Sequence, residues 1–280
     1  MRGGRGGVRD RMLQSLVESQ SALGEQRISL SLMLQNCDSE ELAAFAAAVP
    51  EFVRPLACAG RVPLSIARNM LLRRLIADCR IGSDALVAFP DDDCWYPPGF
   101  LRQVAALFAR EAALDFWFCR YASQPVQDSF AAAEAASAST GDIVRNASSN
   151  TIFLRGRVVT AIGEFDEALG IGTPLGGAED MDYALRARRV ARKTAYRDAA
   201  LVGHRDKSPS IRARYYASSL LVLARHARDG AGSEFLRKIA VGAYLIVRRE
   251  LAVRDFARAL RQALDAHRNP TRQALISSDR

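Results

Sequence analysis

The chain has 280 residues, 49% of them hydrophobic, enough for one large domain or a domain with an appendage, and neither collagen-like nor largely disordered. Its formal charge is +8, and the excess is local: residues 205–280 carry 16 Lys and Arg against 7 Asp and Glu, whereas residues 1–204 carry 23 against 24. Five cysteines without a C-x-x-C pair argue against a disulfide framework or a zinc ribbon, and fit a reducing, cytosolic compartment.

The start, MRGGRGGVRD, is basic and glycine-rich with no apolar run behind it, so it does not read as a secretory signal. No stretch of about 18 uncharged apolar residues suggests a membrane span, and IAVGAYLIV (239–247) is too short. Helical spacing marks residues 11–23. ISLSLML (28–34) alternates as a strand, and SEELAAFAAAV follows as a helix with Ser39 as its expected cap. FVRPLACA reads as extended, and LSIARNMLLRRLIADC as a strong helix. DALVAFP (84–90) reads as a short strand buried on both faces. PPGFLRQVAALFAREA opens a helix with proline, and ALDFWFCRY (113–121) reads as a strand. Residues 123–140 are loop-like. NTIFLRG is a strand, VVTAIGEF a short helix, and GIGTPLGGAED a glycine-rich loop feeding the helix MDYALRARRVA. Residues 194–202 form the last strand, and the remainder reads helical. Alternating strands and helices imply an α/β fold with a mainly parallel sheet, whose ligands bind beyond the carboxyl ends of the strands.

Three aspartates, Asp91, Asp92 and Asp93, stand at such an end, in VAFPDDDCWYPPGFL. Adjacent carboxylates repel, and a hard cation such as Mg²⁺ or Mn²⁺ would neutralise them. Capping of the next helix is the alternative, although one cap needs one aspartate. Glu179 and Asp180 open a helix after a glycine-rich loop. They suit a general base, or first-turn acids that complement the helix dipole. Asp182 is spaced to pair with Arg186. His204 ends a strand and could complete an Asp/His metal shell, whereas His226 and His267 read as surface residues. Arg68 could meet a phosphate and Asn69 a carboxylate or base, against plain capping and surface charge. Trp95 and Tyr96 could stack on a sugar or base, or form a strand-to-helix corner; Trp95 reads as core. The basic tail suits an anionic partner such as a membrane surface, a lipid phosphate or nucleic acid, or is a set of solvated arginine-rich faces.

Four stretches in order, LSIARN, VAFPDDDCWYPPGFL, EFDEALGIGTPLGGAEDMDYALRAR and a strand ending VGH, resemble family 2 glycosyltransferases with the GT-A fold. The resemblance covers about residues 11–205. It implies a GT-A domain over 1–205, a mainly parallel mixed sheet flanked by helices, with a basic helical extension over 206–280. It also implies that Asp91 and Asp93 hold Mg²⁺ or Mn²⁺ and the donor diphosphate with Asp92 beside them, and that His204 is a further metal ligand. Asp180 falls on the catalytic base of inverting members, with Glu179 as its neighbour, and Arg68 and Asn69 fall beside the donor. Asp38, after the strand at 28–34, is the acid nearest the position that holds base or ribose. The family's first strand has no counterpart before Met12.

The implied activity is metal-dependent, inverting transfer from a nucleoside-diphosphate sugar to a hydroxyl of a surface polysaccharide, glycolipid or cell-envelope glycan. The expected location is cytoplasmic, with peripheral contact of the basic helices at the inner membrane face and no nucleic-acid partner. The competing readings are a non-catalytic glycosyltransferase-like binding subunit and a sugar-1-phosphate nucleotidyltransferase.

Overall fold

A computed structural model describes residues 6–127, 136–206 and 211–269. Of the expected loop at 123–140, residues 128–135 lie outside the described residues. The chain opens with helix α1 (Gly6–Ala22), and β1 (Leu30–Gln35), α2 (Ser39–Ala48), β2 (Val53–Cys58) and α3 (Leu64–Ala77) follow. Next come β3 (Leu86–Val87), α4 (Phe100–Arg110), β4 (Leu114–Ala122), β5 (Ala136–Ser137) and α5 (Thr140–Asn146). Then follow β6 (Ile152–Arg155), α6 (Gly156–Ile162), α7 (Glu179–Val190) and β7 (Lys193–Gly203). Helices α8 (Ile211–Arg214), α9 (Tyr216–Arg225), α10 (Gly232–Val247) and α11 (Val253–Arg268) complete the described chain.

Among the described residues the strands form two sheets. β1 and β2 pair in parallel, and a five-stranded sheet runs β3-β6-β4-β7-β5. In that sheet β4 and β7 are parallel, while β6 runs antiparallel to both β3 and β4, so the sheet is mixed. One end therefore collects the C-terminal ends of β3, β4 and β7 and the start of β6. That end carries the polar residues the sequence singled out.

β4 is the buried spine. Leu114 to Cys119 have almost no exposed surface, as a central strand requires, and the one acid among them, Asp115, is paired with Arg157 and Arg192. One face packs on a cluster with Leu72, Ile152, Leu154, Tyr183 and Leu185, and α9 adds Leu220, Val222 and Leu223 to it. The other face, with Trp117, packs on Met12, Leu16, Phe100 and Leu107, with Leu30 and Leu32 at the margin. Burying each such side chain contributes about 1.5–3 kcal/mol.

Several local expectations are corrected. Asp38, not Ser39, caps α2. Its Oδ1 accepts from Glu40 N and Glu41 N at 2.9 and 2.8 Å, and Glu41 returns a bond to Asp38 N. β3 is only two residues long and lies at the sheet edge, so Leu86 is exposed rather than buried. α4 begins one residue after left-handed Gly99, so the prolines precede the helix. His226 is buried and bonded to Asp182, and His267 meets the Ala224 carbonyl.

Candidate active site

The aspartate run leaves β3 and turns at once. Asp91 N donates to Asn150 Oδ1 at 2.7 Å, and Asn150 Nδ2 donates to Asp91 Oδ2 at 3.2 Å. Asn150 stands at the start of β6, whose reversed direction brings it beside the end of β3. Two residues beyond Asp93, Trp95 exchanges two backbone hydrogen bonds of 2.9 Å with Gly203, the last residue of β7. That bridge fixes the register of Asp93 against His204. Gly203 is required there, because a Cβ would sit 2.0 Å from the Trp95 ring. Trp95 is half-buried with Arg11 stacked over it, while Tyr96 is core, stacked on Phe100.

The outcome is a three-residue group. Asp91, Asp93 and His204 each offer a ligand atom, and these atoms lie within 4.8 Å of one another. His204 Nδ1 is 2.9 Å from the Arg205 carbonyl, which can only accept. Nδ1 therefore carries a proton in either state; the charged ring turns Nε2–H to Asp93, and loss of that proton frees the Nε2 lone pair. Nε2 lies 3.0 Å from Asp93 Oδ1, yet this buried nitrogen makes no hydrogen bond. A buried imidazole nitrogen without a hydrogen bond, facing two carboxylates, fits a divalent cation, and Asp and His suit Mn²⁺ or Mg²⁺. Burial opposes the charged His204, but Asp93 outweighs it and raises the pKa. In return His204 holds Asp93 below its ordinary value, against burial and with help from Arg205 at 3.0 Å. Burial pushes Asp91 up, against Arg68, with Asp180 and Asp93 adding to the rise. Asp92 lies between the two, half-buried and outside the three-residue group.

Arg68 joins this group to the second pair of acids. It lies on the buried side of α3, and its Nη2 donates to Asp91 Oδ1 at 2.9 Å and to Ser149 Oγ at 2.7 Å. Its Nη1 donates to Asp180 Oδ1 at 2.8 Å. Asp180 Oδ2 also accepts from Ser149 N at 2.9 Å, and about a quarter of the side chain stays exposed. Glu179 lies deeper. Burial and the charge of Asp180 push its pKa up to about 7, although Arg68 works against them.

Helix α3 also fixes the loop that delivers these acids. Ser65 Oγ donates to Leu169 O at 2.7 Å, and Leu64 N to Ile171 O at 2.9 Å. Asn69 is fully buried; it clamps Phe165 through N–H and C=O and donates to Glu167. Gly170 has φ +100°, and a Cβ on it would meet Ser65 Oγ at 2.6 Å. Ala178, just before α7, is left-handed with φ 71°, a strained setting for a residue with a Cβ. Asp182 turns away from the site: it pairs with Arg186 as its spacing predicts and with His226 at 2.9 Å.

The structure thus gathers Asp91, Asp93, His204, Arg68, Asp180 and Glu179 in one connected network. Asn69 adjoins it as a loop clamp, and Asp38, after β1, caps α2. Ser149, Asn150 and Arg205 were not anticipated from sequence. The visible signal for the first two was a polar run, ASSNT, directly before an apolar strand.

Neither a family model nor a curated protein matches the chain. Solved structures do. TarS of S. aureus, residues 1–349 with UDP, aligns with TM-score 0.63 and 16% identity over 93% of this chain and 79% of that one. The mannosyltransferase PcManGT of Pyrobaculum calidifontis, with GDP-Man and Mn²⁺, aligns with TM-score 0.56 and 14% identity over 99% and 77%. GalNAc-T7 with UDP, GalNAc and Mn²⁺ aligns with TM-score 0.51 and 11% identity over 78% of this chain and 45% of that one. The α/β architecture, the mixed sheet flanked by helices and these likenesses together give the chain the GT-A glycosyltransferase fold.

Proposed function

We propose that the protein is a metal-dependent, inverting glycosyltransferase of the family 2 type, which moves a sugar from a nucleoside-diphosphate donor to an acceptor hydroxyl. The observation that carries this is the convergence of Asp91, Asp93 and His204 within 4.8 Å, with the His204 Nε2 buried and without a hydrogen bond. These three residues would hold Mg²⁺ or Mn²⁺, whose charge would stabilise the departing diphosphate. Asp92 flanks the donor diphosphate, and Asp38 contributes to the nucleotide side through Oδ2, since Oδ1 serves the helix cap.

Asp180 takes the proton from the acceptor hydroxyl as it attacks the anomeric carbon. Arg68 aims this carboxylate through a charged hydrogen bond of 2.8 Å. Because the same guanidinium holds Asp91, base and donor site keep a fixed separation. Asn69 acts by holding the loop before Gly170 in place. The acceptor is a glycan or glycolipid of the cell surface or envelope, and the basic C-terminal helices make peripheral contact with a membrane.

The test is calorimetric titration with UDP and GDP, with and without Mn²⁺, on the wild type and on Asp93→Ala. The wild type binds one nucleotide in a Mn²⁺-dependent way, and Asp93→Ala weakens that binding by about 100-fold or more. Equal binding by the two proteins would reduce the aspartates to a turn and remove the donor site.

A further inference from the structure

The last helices carry a feature that transfer chemistry does not need. Helix α10 is apolar on two sides. Phe235, Gly242 and Leu245 face inward and are buried. On the opposite side Leu236, Ala240, Ala243, Tyr244 and Val247 are exposed, with Leu236 at 67% and Val247 at 81%. At 100° per residue these five fall within one arc, and they extend roughly 16 Å along the helix. Val253, at the start of α11, is 64% exposed and continues the apolar surface past the turn.

The helix cannot roll to hide this stripe. Gly242 is pressed against its neighbours so closely that a Cβ would lie 2.1 Å from Tyr216 Oη and 2.5 Å from Phe256. A helix that is apolar all round is ordinarily buried on every side, and a continuous exposed stripe marks an interaction surface.

Charge says what kind. Between residues 232 and 258 the chain has six Lys and Arg and three Asp and Glu. Arg237 lies beside Leu236, and Arg248, Arg249 and Arg254 lie where the stripe ends. Glu234 and Glu250 are each paired with an arginine of this rim. A second copy seated across a two-fold axis would set positive rim against positive rim, which is unfavourable. An apolar face with an arginine border and a tyrosine is instead the composition of a helix that lies in a lipid interface.

We propose that the outer face of α10, with Leu236, Tyr244, Val247 and Val253 inserted and Arg237, Arg248, Arg249 and Arg254 on the headgroups, seats the protein on an anionic membrane. This rests on the reading of the C-terminal helices as a peripheral membrane unit, and it names the face that makes the contact.

Co-sedimentation of the full chain with vesicles tests it. Vesicles are phosphatidylcholine alone, or phosphatidylcholine with about 30 mol % phosphatidylglycerol. The wild type pellets with the anionic vesicles, less so as salt rises, and not with the neutral ones. Leu236→Glu/Val247→Glu lowers the partition coefficient at least tenfold, and Arg248→Gln/Arg249→Gln lowers it about fivefold per charge removed. Absence of pelleting, or equal pelleting of wild type and the glutamate pair, overturns the proposal. So does a dimer in sedimentation velocity that the glutamate pair dissolves while no vesicle is bound. Mn²⁺-dependent nucleotide titration on the same samples separates the two readings. Nucleotide binding without vesicle binding removes the membrane face alone, and vesicle binding without nucleotide binding removes the donor site alone.

Discussion

Arg68 divides its terminal nitrogens between Asp180 and Asp91, and the two acids at the start of α7 are thereby treated differently. Asp180 keeps an exposed edge and accepts a hydrogen bond from the Ser149 backbone amide, whereas Glu179 is enclosed. Asp180→Asn is expected to lower turnover by about 10²-fold or more while nucleotide binding persists; near-normal turnover in a radiolabelled-sugar transfer assay would remove it as the base. Glu179 makes a prediction of the opposite kind. Its pKa is about 7 in the fold against an ordinary 4.5, so the unfolded chain releases the proton first. The stability this group contributes is complete below pH 4.5 and is lost as pH rises towards 7, by up to about 3 kcal/mol. Urea midpoints of the wild type should fall over that window, and those of Glu179→Gln should fall less. The individual acids were legible in sequence because each interrupts an apolar run at a strand end or follows a glycine-rich loop. Their connection was not. The arginine lies 23 residues from one acid and 112 from the other, and no local pattern encodes that separation.

At the scale of elements, the short bridge between Trp95 and Gly203 ties the aspartate turn to the end of β7. Gly203→Ala would drive a methyl group into the indole ring. The expected cost is about 1–3 kcal/mol of stability, and Mn²⁺ affinity should fall with it because Asp93 and His204 lose their common register. A melt and a Mn²⁺ titration check both; an unchanged metal affinity would show that the bridge does not position the pair. Most helices and strands were readable from periodicity, since their buried faces are regular. β3 was placed correctly, but its length and burial were not legible, because a two-residue edge strand shows the same apolar letters as a buried one. His226 was misread for a similar reason. Its burial comes from Asp182 on α7, an interaction made only once α9 has packed there. The start of β6 hid its role too: Ser149 and Asn150 matter because that strand runs backwards between β3 and β4.

At the scale of the molecule, α9 joins the same apolar cluster as β4 and β6, so the C-terminal helices share a core with the central sheet. The parallel pair β1-β2 is different, for it belongs to none of the ladders of the five-stranded sheet. Leu30 and Leu32 reach the second cluster only as partly buried side chains. A two-stranded unit that shares no ladder with its neighbour can open without breaking the neighbour's hydrogen bonds. Amide hydrogen exchange should therefore resolve two rates. The amides of Leu30 to Leu34 are expected to exchange at least about tenfold faster than those of Phe116 to Phe118, and equal protection would mean that the sheets open together. With this division the protein has a loosely attached flank and a firm centre: the flank can breathe while Asp91, Asp93 and His204, anchored to β3 and β7, keep their spacing.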